Sequence, residues 1–162
     1  MKRLEAQDVR SRLKYFQVAA EVAGRAECER ASCGAVIADE SGDIIATGFN
    51  GPPLGSQSSS MCSKKLNNNS KPKYDKTCCV HAEWRAIIAA CKSSKTIDRG
   101  TLYFMRIDDS GDFANAGEPY CTVCSRLAIE SGLVEFVLWN KDGADIYPVG
   151  EYNDKSYMYH SV

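Results

Sequence analysis

From Asp8 to Ala23 the apolar residues Val9, Leu13, Phe16, Ala20 and Ala23 recur in steps of three and four, which places them along one side of a helix. Gly24 follows as a stop signal. Cys33 to Asp39 is small and apolar throughout, the pattern of a strand covered on both faces. Ser41-Gly42-Asp43 supplies a turn and Ile44 to Phe49 returns, so the two runs predict a hairpin. His81 to Cys91, rich in alanine and isoleucine, predicts a helix with Ile87, Ile88 and Cys91 facing the sheet. A third strand is expected over Thr101 to Ile107, a helix over Cys121 to Ser131 and a fourth strand over Val134 to Trp139. After Lys141 the pattern weakens: Ile146 to Val149 fits an edge strand, and Glu151 to Val162 is tyrosine-rich. Two strands followed by alternating helix and strand imply an α/β protein, a three-layer α/β/α sandwich around a central mixed sheet. No internal repeat interrupts it, and residues 1–162 are expected to form one domain.

Two stretches carry no periodicity. Asn50 to Thr77 opens with Gly51, Pro52, Pro53 and Gly55, then runs through Ser56 to Ser60 and Asn67 to Ser70. Long irregular segments in compact domains are often functional loops. This one leads into His81, so it is expected to wall a substrate pocket, with a mobile surface loop as the alternative for Asn67 to Lys73. Asp108 to Glu118 is a second, acidic loop.

Chemistry gathers at His81-Ala82-Glu83 and at Pro119-Tyr120-Cys121-Thr122-Val123-Cys124. Side chains two apart lie far round a helix from one another. His81 and Glu83 therefore share a site only if His81 looks out from the helix end. Cys121 and Cys124, three apart, fall on one face at the start of their helix. A helix amino terminus favours the thiolate form that binds metal. One imidazole and two thiolates suit zinc with a fourth position open, as catalytic zinc requires. A redox C-x-x-C would need thioredoxin-like surroundings, which are missing. A structural zinc would need a fourth ligand, and no cysteine or histidine lies near Cys121 and Cys124. His160 reads as an exposed tail residue. Glu83 is then the proton carrier rather than a ligand.

Together these residues match the H-x-E…P-C-x-x-C signature of zinc-dependent nucleobase deaminases, with Tyr120 as one extra residue. Cys28-Glu29-Arg30-Ala31-Ser32-Cys33-Gly34-Ala35-Val36-Ile37, and Gly48-Phe49-Asn50-Gly51 with Pro53 and Gly55, resemble the front half of the deoxycytidylate deaminases. The resemblance spans roughly residues 10 to 140. It departs at Arg85, where the family usually has asparagine, at the insertion before Pro119, and at Tyr120. It implies a cytidine deaminase-like fold, zinc as cofactor, a small-molecule nucleotide or nucleoside substrate, and hydrolysis of dCMP to dUMP with loss of ammonia. Asn50 is implied as the residue that holds the sugar or positions the base, its alternative being a turn role beside Gly51. Arg30 is implied at the phosphate. Arg85 and Tyr120 border the site as lesser candidates, and Arg126 lies one turn from it. Some members hold a second, structural zinc, for which Cys28, Cys62, Cys78 and Cys79 are the matching thiols; otherwise those four are free. Cys33 and Cys91 read as core residues. Rival readings are deamination of another base or nucleoside, a tRNA-editing adenosine deaminase, and an inactive zinc-stabilised binding module, against which Glu83 argues.

Charge narrows the partners. The 20 basic and 21 acidic side chains nearly cancel, so nucleic acid is not an expected partner. No apolar run approaches membrane-spanning length, and the start lacks an apolar secretory core. The expected setting is the cytoplasm, where the eight cysteines would be reduced or metal-bound. A homo-oligomer is expected.

Overall fold

The computed structural model describes residues 1–5, 8–28, 30–54, 79–141 and 143–159. A 3-10 turn over Asp8–Ser11 precedes helix α1 (Leu13–Ala23), which Gly24 closes. The hairpin is β2 (Ser32–Ala38) and β3 (Ile44–Phe49). Helix α2 (Ala82–Lys92) leads to β4 (Thr101–Ile107) and the short β5 (Phe113–Ala114), and α3 (Thr122–Glu130) leads to β6 (Glu135–Asn140). Strand β7 (Gly143–Pro148) runs into helix α4 (Val149–Met158), and β1 (Lys2–Glu5) comes from the chain start.

These strands form one mixed sheet in the order β1-β7-β6-β4-β2-β3, with β5 added to β4. The β4–β6 pair is parallel, joined by a crossover that carries α3, while its other pairs are antiparallel. Alternation along each strand sends one set of side chains to each face. Phe16 and Ala19 of α1 pack with Val36, Tyr103, Met105 and Val137 on one side. Ala82, Ala86 and Ile87 of α2, Ala128 of α3 and Tyr152 of α4 pack with Ile37, Leu102, Phe136 and Leu138 on the other. The three-layer sandwich follows. Among the described residues no helix is long and apolar enough to cross a membrane.

Three expectations are corrected. The region after Lys141 is not a lone edge strand but β7 followed by α4. Asp145 lies in the middle of that strand, 1% exposed, held by Arg3 through Nε and Nη2 at 2.7 and 2.8 Å and by Asn140. A charged residue there hides the strand in a hydropathy pattern. Helix α4 buries only Tyr152 and Ser156, four apart, and its Gly, Asn, Asp and Ser are weak helix formers. On α2 the buried stripe is Ala82, Glu83, Ala86, Ile87 and Ala90, so Ile88 is 45% exposed and Cys91 is exposed rather than core. Cys33 is half-buried against the core.

Two glycines set how closely the helices approach the sheet. A Cβ at Gly34 would stand 1.9 Å from the carbonyl oxygen of Ala19 in α1. A Cβ at Gly48 would stand 2.3 Å from the carbonyl oxygen of Ala82 and 2.5 Å from the amide nitrogen of Ala86. The second contact fixes the first turn of α2, and therefore His81 and Glu83. Gly48→Ala should destabilise the fold by about 1–3 kcal/mol through overpacking and lower zinc retention, because α2 has to retreat. Gly34→Ala should cost stability with less effect on zinc. Urea unfolding with elemental analysis checks both, and equal zinc loss in the two variants would contradict this role for Gly48.

Candidate metal centre and active site

His81 is the N-cap of α2 in an extended conformation (φ −71°, ψ 154°), so its imidazole looks out from the helix end. Glu83 follows in the first turn and is 6% exposed. Cys121 is likewise the N-cap of α3, and its Sγ accepts the Cys124 backbone N–H at 3.2 Å. Sulfur thus takes the place of the oxygen that usually caps a helix. The Cys124 Sγ donates to the Cys121 Sγ at 2.6 Å and lies 3.2 Å from the His81 Nδ1. The three ligand atoms all fall within 4.8 Å of one another, the one such cluster of three among the described residues. Bond lengths of about 2.0–2.3 Å to a common centre need a spread of that size. Two sulfurs and one imidazole nitrogen are also the donor set zinc prefers, so the residues present fit the ion.

The surroundings set how readily each of these groups gives up its proton. Hydrogen bonding from the Cys124 thiol, helped by His81 and the Cys124 amide, overcomes burial and brings Cys121 down to about 5. Burial, then the Cys121 sulfur, pushes Cys124 up. Within the pair the surroundings favour ionisation at Cys121 over Cys124. Burial by itself would depress His81, but the Cys121 and Glu83 charges outweigh it and the imidazole ends above its ordinary value. Burial raises Glu83, only partly offset by His81. A carboxyl that releases its proton reluctantly is suited to carrying one.

A second layer of residues holds the two helix starts. The His81 ring stacks on Trp84 with centroids 5.3 Å apart, and the Trp84 Nε1 is buried without a hydrogen-bond partner among the described residues. Ser125, beside Cys124, is fully buried and donates to the Thr122 carbonyl or the Asn153 Oδ1 of α4, each at 3.0 Å. Tyr152 of α4 stacks on Phe136 at 4.1 Å and hydrogen-bonds the Tyr120 backbone. Burial raises its phenol, and Glu83, Cys124 and Cys121 lie near enough to add to the effect. Neither Ser125 nor Tyr152 stands out in the sequence. Only a prediction of α4 would point to Tyr152.

The remaining candidates are distributed as follows. Asn50 is 7% exposed; its Nδ2 donates to the Ala31 carbonyl at 2.7 Å and its Oδ1 accepts the Cys33 N–H at 2.9 Å. Arg85 donates to the Pro52 carbonyl and lies 4.7 Å over the Phe49 ring, so it braces the start of the long loop. Tyr120 is 62% exposed, edge-on to Tyr159, and Arg30 is exposed at a bend before β2. Cys28 stands near His81 and Cys33. Cys79 is buried just before the Val80–Gly51 bridge. Cys62, Cys78, His160 and the Asn67-to-Lys73 loop lie outside the described residues. In the acidic loop, Asp108 folds into its own turn, accepting from Ser110 and Asp112 at 2.9 and 3.0 Å, and Phe113 packs on Trp139.

Residues 9–140 match the family described as cytidine and deoxycytidylate deaminase zinc-binding region. The chain is 31% identical over 134 residues to the deoxycytidylate deaminase of Mycobacterium phage D29, covering 79% of this chain and 92% of that protein. In fold it is similar to the dCMP deaminase from cyanophage S-TIM5, solved in complex with dCMP and dUMP (TM-score 0.57, 24% identity, 78% of this chain and 79% of that one). It is also similar to the cytidine deaminase from Burkholderia pseudomallei (TM-score 0.58, 16% identity, 86% and 94% covered). A sandwich that brings an imidazole, two thiols and a buried carboxyl to one point defines the class as hydrolytic deaminases of carbon–nitrogen bonds. The chain belongs to the cytidine and deoxycytidylate deaminase family.

Cys121→Ala with Cys124→Ala should remove the zinc that purifies with the protein; unchanged metal content would dismiss this ligand set. Because His81 and Cys124 both sit above their ordinary values, metal has to displace protons that metal-free protein still holds. Zinc affinity should therefore rise with pH from the ordinary histidine value of 6.5 and go on rising past the ordinary thiol value of 9.0, and a flat profile in a competition titration would contradict a protonated His81 and Cys124.

Proposed function

We propose that the chain deaminates deoxycytidine monophosphate to deoxyuridine monophosphate in a zinc-dependent reaction, with Glu83 as the catalytic acid and base. The observation that carries the reading is the meeting of His81, Cys121 and Cys124 within 4.8 Å at two helix starts, beside the buried Glu83. The monophosphate is favoured by the phage relative, which is named a deoxycytidylate deaminase and is 31% identical to this chain over 134 residues. His81, Cys121 and Cys124 would hold the zinc. Bound there, zinc supplies a water whose proton leaves near neutral pH. Glu83 takes that proton on a carboxylate oxygen and delivers it to N3 of the pyrimidine ring. It then takes the proton of the hydroxyl now on C4 and passes it to the amine as the C4–N bond breaks. The water oxygen ends as the C4 carbonyl and the amine leaves as ammonia, so no oxidant or reductant enters. Asn50 would meet the sugar through the Nδ2 hydrogen that Ala31 leaves free, and Arg30 would meet the phosphate. Reduced thiols and a cytoplasmic setting belong to the same reading.

Glu83→Gln keeps size and polarity and removes the base. Zinc should stay bound while turnover falls at least a hundred- to ten-thousandfold, roughly the usual contribution of general acid–base catalysis. A variant within tenfold of wild type would mean another group moves the protons. Ammonia release from dCMP, deoxycytidine and cytosine, measured side by side, tests the substrate; equal efficiency on all three would remove the monophosphate from the reading and leave the deaminase.

A further inference from the structure

Along β4, side chains on the face that carries α2, α3 and α4 come in the order Leu102, Phe104, Arg106, the first two in its apolar core. Arg106 stands opposite Cys33 across the β2–β4 ladder, and opposed residues project to the same face. Cys33 in turn is locked to Asn50, donating its N–H to the Asn50 Oδ1 at 2.9 Å and accepting the Asn50 N–H on its carbonyl at 3.2 Å. Asn50, Cys33 and Arg106 thus make one row across the end of the sheet. The metal centre adjoins that row. Burial foremost, and then Glu83, raise the Cys33 thiol to about 12, while Arg106 pulls the other way, so both charges stand close to the same sulfur.

Arg106 is half-buried, yet its guanidinium forms no hydrogen bond or ion pair among the described residues. Other arginines are committed: Arg3 to Asp145, Arg12 to Tyr103 and Glu135, Arg85 to Pro52 and Phe49, Arg99 to Glu40. The carboxylate nearest in sequence, Asp108, accepts two amides of its own turn. A cation partly removed from water without a counter-charge is unfavourable. A phosphate offers the paired acceptor oxygens that match a guanidinium.

We infer that Arg106 binds the phosphate of the substrate, as a specificity residue on the sheet floor distinct from Arg30 on the rim. The inference rests on the monophosphate reading of the function. Its measure is the ratio of kcat/KM for dCMP to that for deoxycytidine, since a purely structural role would depress both and leave the ratio alone. Zinc-loaded Arg106→Ala should lower the ratio about ten- to a hundredfold, the usual range for a lost charge-assisted hydrogen bond, with most of the loss in KM. Arg106→Lys should restore part of it as a point charge. Arg30→Ala should leave a larger ratio than Arg106→Ala. If the alanine variant does not fold, Arg106→Gln, which keeps length and loses charge, carries the comparison. An unchanged ratio in Arg106→Ala or Arg106→Gln overturns the inference even where wild type prefers dCMP, as does a preference abolished by Arg30→Ala alone. A wild type indifferent to the phosphate overturns the monophosphate reading itself, a failure visible before any variant is made.

Discussion

Neither His81 nor the Cys121–Cys124 pair can hold a divalent ion alone, so the first turns of α2 and α3 have to arrive at one point. Much of the architecture answers that demand. Gly48 lets α2 lie directly on β3, with a backbone oxygen where a methyl group would otherwise stand. The parallel β4–β6 pair obliges the chain to cross over between them, and the crossover brings α3 to the same face of the sheet as α2. Helix α4 then holds α3 through Ser125 and Asn153, and through Tyr152 beneath the Tyr120 backbone. A shift in any of these contacts moves a ligand.

The same arrangement sets the charges. Each helix start presents unpaired N–H groups and the positive end of a dipole, which favours negative sulfur. Cys121 benefits directly, as the cap of its own helix. Burial works against ionisation at Cys124 and Glu83, which leaves the centre with fewer charges than its residue types suggest. A metal ion and a carrier of single protons both need that balance: sulfur poised to ionise, and a carboxyl that holds a proton without losing the ability to give it up.

The sandwich is legible in the sequence because it rests on local spacing, and the meeting of His81 with Cys121 and Cys124 is legible through the H-x-E…P-C-x-x-C pattern they share. The strand expected over Thr101 to Ile107 has those bounds, and the requirement that His81 stand outside its helix follows from two residues' separation. What is not legible depends on partners distant in sequence. Strand β1 exists as a strand because β7 pairs with it, and its Lys2, Arg3 and Glu5 carry no strand signal. The α2 stripe misleads because alanines, which weigh little in a hydropathy pattern, do the packing at positions 82, 86 and 90 while Ile88 faces water. Asn50 reads as a residue for the ligand, and its side chain also pins the approach to β2. Arg106 carries no signal of its own, because its significance lies in what stands across the ladder from it.

The sulfur pair at the start of α3 also bears on how the protein ages. Cys121, whose ionisation its surroundings favour, has the Cys124 sulfur beside it as a resolving partner. Mild oxidants act on such thiolates, and the neighbouring sulfur then closes a disulfide. Both sulfurs would be withdrawn from that chemistry while they share an ion. Zinc in this protein would therefore serve as a redox shield as well as a cofactor, and loss of the ion in an oxidising setting would be difficult to reverse: metal-free chains would drift toward a locked form that no longer accepts metal until a reductant reopens it.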